Sequence, residues 1–314
     1  MGEFAPPPTC GVAWRYRRTM VLRRRPDATY VGDVPPLRRI IPFVMPTRTE
    51  SLVYFQQRIE VEGLLAWMEA TNAARARADR VSLFHVFLTA IGRTVRLRPE
   101  TNRFVAGRRT YQHDEISISF VVRQGMAEDA EESEARVVLT GTELVDDVRH
   151  VVDGVVRVER AGVEEGGDDR LVHFFAAWPR PVLNGVARGV RWLDYHNLLP
   201  GRLVGAIPLY TSVYVVHAGS IGIDPPLHHL YELGTASAFV AIGRVAPQPV
   251  VDDSGAVVAR RCVDVAYTLD ERATDGFYFA KTAEVIRRLV SEPDLLADPT
   301  VTVEEIVPTW PPRP

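Results

Sequence analysis

The sequence predicts an α/β protein with a mixed β-sheet. Segments with alternating apolar and polar residues, typical of half-buried strands, occur along the chain together with segments that carry apolar residues at helical spacing. These segments do not follow a strict strand–helix–strand rhythm, so we expect parallel and antiparallel strands in one sheet. With 314 residues, of which 46% are hydrophobic and 25% charged, the chain can bury a sizeable core.

Strands and helices can be assigned in order along the chain. Ser82 is a good N-cap, and apolar residues follow it at helical spacing until Pro99, which predicts a long helix. After Asp275-Gly276 another helix carries its apolar residues on one face and is closed by Pro293. The other assignments are strands over 52–61, 116–120, 213–216, 239–242 and 263–267, helices over 64–68 and 178–195, and an acidic, solvated helix-loop face over 125–170.

The two ends of the chain differ from the middle in composition. An arm over 1–36 is rich in proline and carries six arginines between Arg15 and Arg25. We interpret the arm as a solvated segment or an edge strand, with an oligomer contact or a grip on an anionic ligand as the alternative. A Pro-rich tail follows from 299 to 314, which leaves 37–298 as the main domain.

Composition and charge exclude several classes of protein. The formal net charge is -3, so no global basic field would collect nucleic acid. The longest uncharged stretch, 203–223, contains glycines, a proline and a histidine, which indicates buried strands and a turn instead of a membrane span. Prolines at 6–8 stand where a signal peptide has its apolar core, and two cysteines are too few for a disulfide framework. We expect a cytoplasmic protein with neither membrane nor nucleic-acid partners.

One motif connects the sequence to a known family. Residues 269–276, Leu-Asp-Glu-Arg-Ala-Thr-Asp-Gly, resemble the Asp-His-Arg-x-x-Asp-Gly signature of the dihydrolipoyl acyltransferase cores of 2-oxo-acid dehydrogenase complexes. Chloramphenicol acetyltransferase is similar in fold and carries a related motif. Further segments resemble that family in the same order, namely 39–45, 82–102, 216–223, 239–245 and 291–296. The resemblance implies an α/β two-layer sandwich like that of chloramphenicol acetyltransferase.

The resemblance also implies a reaction and an assembly. In the family a neutral histidine takes the proton of a thiol that attacks a thioester, and a hydroxyl holds the developing oxyanion. The site lies in a channel between the subunits of a trimer, and C-terminal residues join trimers into cages. For this chain it implies a coenzyme A thioester as substrate and a homotrimer or a larger cage as the assembly. We predict that Val301 to Pro314 docks onto a neighbouring trimer, with a disordered tail or one docked on its own chain as the alternative.

The sequence departs from the family at the catalytic positions. The catalytic histidine falls at Glu271, the hydroxyl residue at Val216 and the turn asparagine at His217. Transfer of a thiol proton is uphill by roughly 2.7 kcal/mol to an imidazole but by roughly 5.7 kcal/mol to a carboxylate. Lys281 is the single lysine among 37 basic residues and lies within the closing helix, so we expect no lipoyl attachment site. A P-loop nucleotide hydrolase is excluded because it needs a lysine within a Gly-rich motif, and Lys281 lies in no such motif.

Several residues remain candidates for the site. Glu271 is either a general base, which would require burial, or a structural residue ion-paired at its turn with the help of Arg272. His228 and His229 could supply the base instead or belong to a packed loop, and His217 could donate to an oxyanion. Asp275 and Gly276 end the motif as they do in the family. We expect Asp275 to orient the turn through an ion pair with an arginine.

Two functions from different classes follow from these residues. The first is a coenzyme A thioester-dependent acyltransferase without a lipoyl domain. The second is a catalytically degenerate relative that serves as an assembly scaffold. Glu271 and Val216 favour the scaffold, whereas the intact Asp275-Gly276 turn and the histidines favour the enzyme. A metal-dependent hydrolase at His228-His229 is a distant third, and we expect no metal.

Overall fold

The computed structural model describes residues 24–123, 132–164 and 178–310. These residues form a six-stranded mixed sheet with helices packed on one face, and a small three-stranded sheet beside it. The predicted α/β two-layer class is therefore confirmed. The strands are β1 (Ala28–Tyr30), β2 (Leu52–Glu60), β3 (Arg103–Ala106), β4 (Arg109–His113), β5 (Ile116–Arg123), β6 (Glu132–Leu139), β7 (Val213–His217), β8 (Ala238–Val251) and β9 (Val257–Asp270).

The helices lie between and after these strands. No helix in the described ranges is both long and apolar enough to cross a membrane. The helices are α1 (Pro36–Val44), α2 (Glu62–Asn72), α3 (Leu83–Leu97), α4 (Val145–Glu164), α5 (Arg180–Tyr195), α6 (Gly201–Ala206), α7 (Gly276–Ser291) and α8 (Val303–Ile306).

The order of the large sheet is β2-β9-β8-β7-β5-β6. β7 pairs in parallel with both β5 and β8, and the other neighbours are antiparallel. The main core lies between the helix-covered face of this sheet and the helices α2, α3, α4 and α7. A smaller apolar cluster on the opposite face is built around Tyr214 and Phe239. The two faces therefore give different surroundings to residues that are close in sequence.

Local signals explain where the two central helices begin. The Ser82 side chain accepts a hydrogen bond from the His85 backbone N–H, and the His85 ring accepts one from the Ser82 N–H, which closes a capping box. α3 is then buried from His85 to Val95, as its apolar residues require. α7 begins after Asp275, whose carboxylate caps the helix.

The two ends of the chain pack against the body of the same molecule. Ala28–Tyr30 pairs with β4 as an edge strand, one of the two interpretations of the arm, whereas residues 1–23 lie outside the described ranges. Val301, Ile306 and Val307 are buried in the main core, and Arg288 donates to the Ile306 carbonyl. These apolar side chains complete the core of their own chain, which is the alternative of a self-docked tail. The prediction of docking onto another trimer is wrong for this part.

Candidate functional site

The turn after β9 presents Glu271 to solvent. The Glu271 backbone N–H donates to the Ser51 carbonyl at 3.0 Å, which anchors the turn to the start of β2. Its side chain is exposed and has no hydrogen bond or ion pair within the described residues. The ion pair that would give Glu271 a structural role is therefore absent from this part of the chain.

Arg272 holds the turn through a different carboxylate. Its guanidinium binds Asp270 in a bidentate pair, with Nε to Oδ1 at 2.8 Å and Nη2 to Oδ2 at 2.7 Å. The Ser51 hydroxyl donates to the same carboxylate, and Arg48 lies 3.7 Å from it. Asp270 is fully buried, so this cluster fixes the backbone that carries Glu271 without touching the Glu271 side chain.

Asp275 and Gly276 form the far end of the turn. Asp275 accepts the Tyr278 backbone N–H at 2.6 Å and forms an ion pair with Arg38 at 2.6 Å. These two contacts, the backbone hydrogen bond first, hold the pKa of Asp275 below its usual value. The expected arginine ion pair is thus present, with Arg38 of α1 as the partner. Gly276 is the first residue of α7.

His217 ends β7 on the helix-covered side of the sheet. Its ring stacks on Phe84 of α3, with ring centroids 5.8 Å apart. Burial lowers the pKa of His217, so the imidazole is neutral at neutral pH. The ring lines a cavity of about 620 Å³, called here the His217 groove. Apolar side chains line much of this groove, among them Phe84, Phe120, Val152, Val156, Ile221 and Ile223.

His228 and His229 lie on the opposite face of the sheet. The His228 ring stacks on Phe239 at 4.2 Å and on His229 at 4.6 Å, and its Nδ1 donates to the His229 carbonyl at 2.7 Å. The Thr268 hydroxyl in turn donates to the His228 carbonyl. These contacts are those of a packed loop, the alternative to a base at this position.

The structure does not bring the three groups of candidates together in one chain. His217 is paired with Ile242 of β8, and Ile242 is paired with Val265 of β9, which lies six residues before Glu271. At the rise of a β-strand this separates His217 from Glu271 by about 20 Å, at opposite ends of the sheet. Thr268, which holds the His228 loop, precedes Glu271 by three residues, about 10 Å along the strand. Within the described ranges no three metal-ligating side chains come together, at His228-His229 or elsewhere.

His85 belongs to the His217 groove and was not singled out from the sequence. Its Nδ1 accepts the Ser82 N–H, so Nε2 carries the proton and faces Asp153 at 3.5 Å. Burial, partly opposed by Asp153, lowers the pKa of His85. The sequence carries a signal for this contact, because His85 is three residues after the N-cap Ser82. A side chain at that position, N3, can hydrogen-bond back to the N-cap backbone.

Comparisons with known proteins agree with this architecture. The model of the family "2-oxoacid dehydrogenases acyltransferase (catalytic domain)" matches residues 233–297, which include β8, β9, the Glu271 turn and α7. A probable dihydrolipoamide acetyltransferase from Listeria monocytogenes is similar over 83% of this chain and 94% of its own, with 14% identity and a TM-score of 0.55.

Two further solved structures match over nearly the whole chain. The dihydrolipoamide acetyltransferase of Azotobacter vinelandii has 13% identity and a TM-score of 0.55 over 94% of this chain and 100% of its own. The cubic core of a pyruvate dehydrogenase multienzyme complex has 13% identity and a TM-score of 0.52 over the same shares. At such identities the likeness shows the fold. The resemblance is thus confirmed: residues 233–297 match the catalytic-domain family of the 2-oxoacid dehydrogenase acyltransferases, and the chain has the fold of those acyltransferase cores.

Proposed function

We propose that this protein is an acyltransferase that moves an acyl group between a coenzyme A thioester and a second thiol, in a site formed by two copies of the chain. The observation that carries the proposal is the placement of Glu271 and His217. By the sequence resemblance they fall where the family has its catalytic histidine and turn asparagine, yet they lie about 20 Å apart at opposite ends of one sheet. A site that uses both residues therefore needs Glu271 of one copy and His217 of another.

Exposed apolar surface supports association of several copies. α1 presents Leu37, Ile40, Phe43 and Val44 to solvent, each more than half exposed. An apolar helix face of this kind is typical of a surface that is covered in an assembly. One structure of similar fold is the cubic core of a multienzyme complex, and we propose a homotrimer or a larger cage for this chain as well.

His217 and Glu271 would have catalytic roles that differ from those of the corresponding residues in the family. A neutral imidazole accepts a thiol proton at a cost about 3 kcal/mol lower than a carboxylate does. Burial lowers the pKa of His217, which keeps the ring in that neutral form but also makes it a weaker base, so a nearby negative charge is needed to stabilise the imidazolium. We assign proton acceptance to His217, and to Glu271 of the neighbouring copy the stabilisation of the imidazolium that forms. This role does not require Glu271 to be buried in its own chain.

The acyl transfer conserves atoms, protons and electrons among the two thiols, the thioester and His217, so it needs no metal or redox partner. The acceptor thiol loses its proton to His217, and its sulfur forms a bond to the thioester carbonyl carbon. The resulting tetrahedral oxyanion collapses and breaks the bond to the coenzyme A sulfur. The coenzyme A thiolate then takes the proton back from His217, which restores the neutral imidazole.

One observation favours the second candidate, a scaffold without catalysis. The Glu271 carboxylate is exposed and has no partner among the described residues that would orient it. A family member that kept the assembly surface and lost acyl transfer would show the same feature. The alternative requires that no acyl-coenzyme A donor is turned over.

Turnover with a panel of acyl-coenzyme A donors and a dithiol acceptor tests the proposal. Glu271→Gln and His217→Ala should each lower the rate at least about tenfold, because acid–base groups typically contribute that much or more. His229→Gln is the matched control and should leave the rate unchanged, since His229 is an exposed residue on the opposite face. Absence of turnover in the parent protein with every donor would contradict the proposal and leave the scaffold.

A further inference from the structure

A basic groove lies beside the turn that carries Glu271. It has a volume of about 390 Å³ and runs between the Thr47–Thr49 loop, the β3–β4 hairpin and the end of α5. Six charged residues line it, four of them basic and two acidic. They are Arg48, Arg108, Arg191, Arg272, Asp194 and Glu232.

The two carboxylates of the basic groove are already engaged. Asp194 accepts a hydrogen bond from Arg25 at 3.1 Å within an ion pair. Glu232 accepts the Thr49 backbone N–H at 2.9 Å and the Thr49 hydroxyl at 2.7 Å, and its other oxygen accepts the Arg48 N–H. Neither carboxylate is bonded to the guanidinium groups of Arg108 or Arg191.

The buried floor of the groove is close to charge balance. Arg48 and Arg272 are both buried and share a single buried carboxylate, Asp270. Glu232 also lies near Arg48, and its hydrogen bonds from neutral donors leave its own charge in place. The two buried guanidinium groups are therefore largely balanced by Asp270 and Glu232, and the free positive charge of the groove is that of Arg108 and Arg191.

Arg108 and Arg191 stand at the walls without a counter-ion. Neither side chain has a hydrogen bond or ion pair to another described residue. The Arg108 guanidinium lies 4.9 Å from the centre of the Phe43 ring, which holds it in place without neutralising it. These two cations are therefore available to a ligand.

The backbone at Arg108 is a second, independent observation. Gly107 and Arg108 connect β3 to β4 as a two-residue hairpin turn, with φ of 55° and 61°. A turn of this type favours glycine or asparagine at both positions, because a Cβ is disfavoured in the left-handed region. The arginine at the second position therefore adopts a backbone conformation that disfavours it, and such positions cluster at functional sites.

We propose that the basic groove binds a phosphate or diphosphate group, with Arg108 and Arg191 as its direct ligands. Guanidinium groups suit this chemistry, because their paired N–H donors match the oxygens of a phosphate. The group could belong to free inorganic diphosphate or to the phosphates of a nucleotide such as coenzyme A. The inference does not depend on acyl transfer.

Calorimetric titration of the full chain with inorganic diphosphate, and separately with coenzyme A, tests this inference. Arg108→Gly and Arg191→Gln should each weaken binding about tenfold, as expected for loss of a charge-assisted contact. Arg188→Gln is the control, because Arg188 is exposed on the same helix, one turn earlier, and does not line the groove. Arg108→Gly should not lower the melting temperature, since glycine relaxes the positive φ.

The outcomes separate the ligand sources. Binding of both probes, with displacement of diphosphate by coenzyme A, would identify the nucleotide, and binding of diphosphate alone would identify the free anion. The proposal is overturned if neither probe binds at low ionic strength, or if Arg188→Gln weakens binding as much as the groove variants do. If the parent protein shows no acyl transfer, these binding outcomes are unaffected. Failure of the proposed function can therefore be told apart from failure of this inference.

Discussion

Buried charge at single residues determines how the Glu271 turn is held. Asp270 has no exposed surface and binds Arg272 through both oxygens, while Arg48 lies at 3.7 Å. An ion pair of this kind contributes little compared with apolar packing, but removing one partner leaves uncompensated charge inside the protein. Here two guanidinium groups would be left without their carboxylate.

We therefore expect Asp270→Ala to lower the free energy of unfolding by about 3–5 kcal/mol, the usual cost of breaking a buried pair. Denaturant unfolding monitored by circular dichroism measures it. The matched control is Asp264→Ala, which removes the carboxylate bound to Arg58 on the surface of the sheet. That pair is solvated, so its loss should change stability far less. Equal losses in the two variants would contradict the role given to the buried cluster.

A second residue couples stability to pH. Burial lowers the pKa of His113 to about 4 from 6.5, and its ring packs on Phe104 with centroids 4.5 Å apart. Between those values the unfolded chain binds a proton that the folded chain does not, so stability falls as pH falls below 6.5. In the His113→Phe variant the free energy of unfolding should depend less steeply on pH across this window than in the parent protein. Denaturant titrations at a series of pH values measure this dependence. A slope unchanged from the parent would show that His113 does not contribute.

At the scale of elements, the sequence predicted what local signals encode and missed what tertiary pairing adds. α3 and α7 begin after Ser82 and Asp275 because caps are local. β8 and β9 extend to Ala238–Val251 and Val257–Asp270, far beyond the predicted apolar runs. Their outer halves form an exposed two-stranded hairpin, so no apolar periodicity marked them.

α8 shows the same limit at the end of the chain. The sequence indicated a Pro-rich tail, yet Ile306 within it is fully buried in the main core. Ile306→Ala should therefore lower the unfolding free energy by about 2–5 kcal/mol, as for other large-to-small core changes. The control Val257→Ala, at a side chain 71% exposed on the hairpin, should have almost no effect. A stable, soluble chain truncated after Asp298 would contradict this account of the tail.

At the scale of the whole molecule, the proposed site depends on distances that no local pattern encodes. His217 and His228 are eleven residues apart, but one faces the helices and the other the opposite face of the sheet. The sequence identified the Glu271 turn through its motif and Asp275 through its expected ion pair. It could not place His217 relative to Glu271, because their separation is set by strand register across β7, β8 and β9.

Reassembly of mixed subunits tests the proposed shared site most directly. Glu271→Gln and His217→Ala proteins, each expected to have lost at least about nine tenths of the parent rate, are dissociated together and reassembled, beside the parent protein treated in the same way. A site that takes Glu271 from one copy and His217 from the next should recover about one quarter of the parent activity, because a random mixture places both intact residues at that share of interfaces. No recovery in the mixture, while the parent regains its activity, would contradict the shared site.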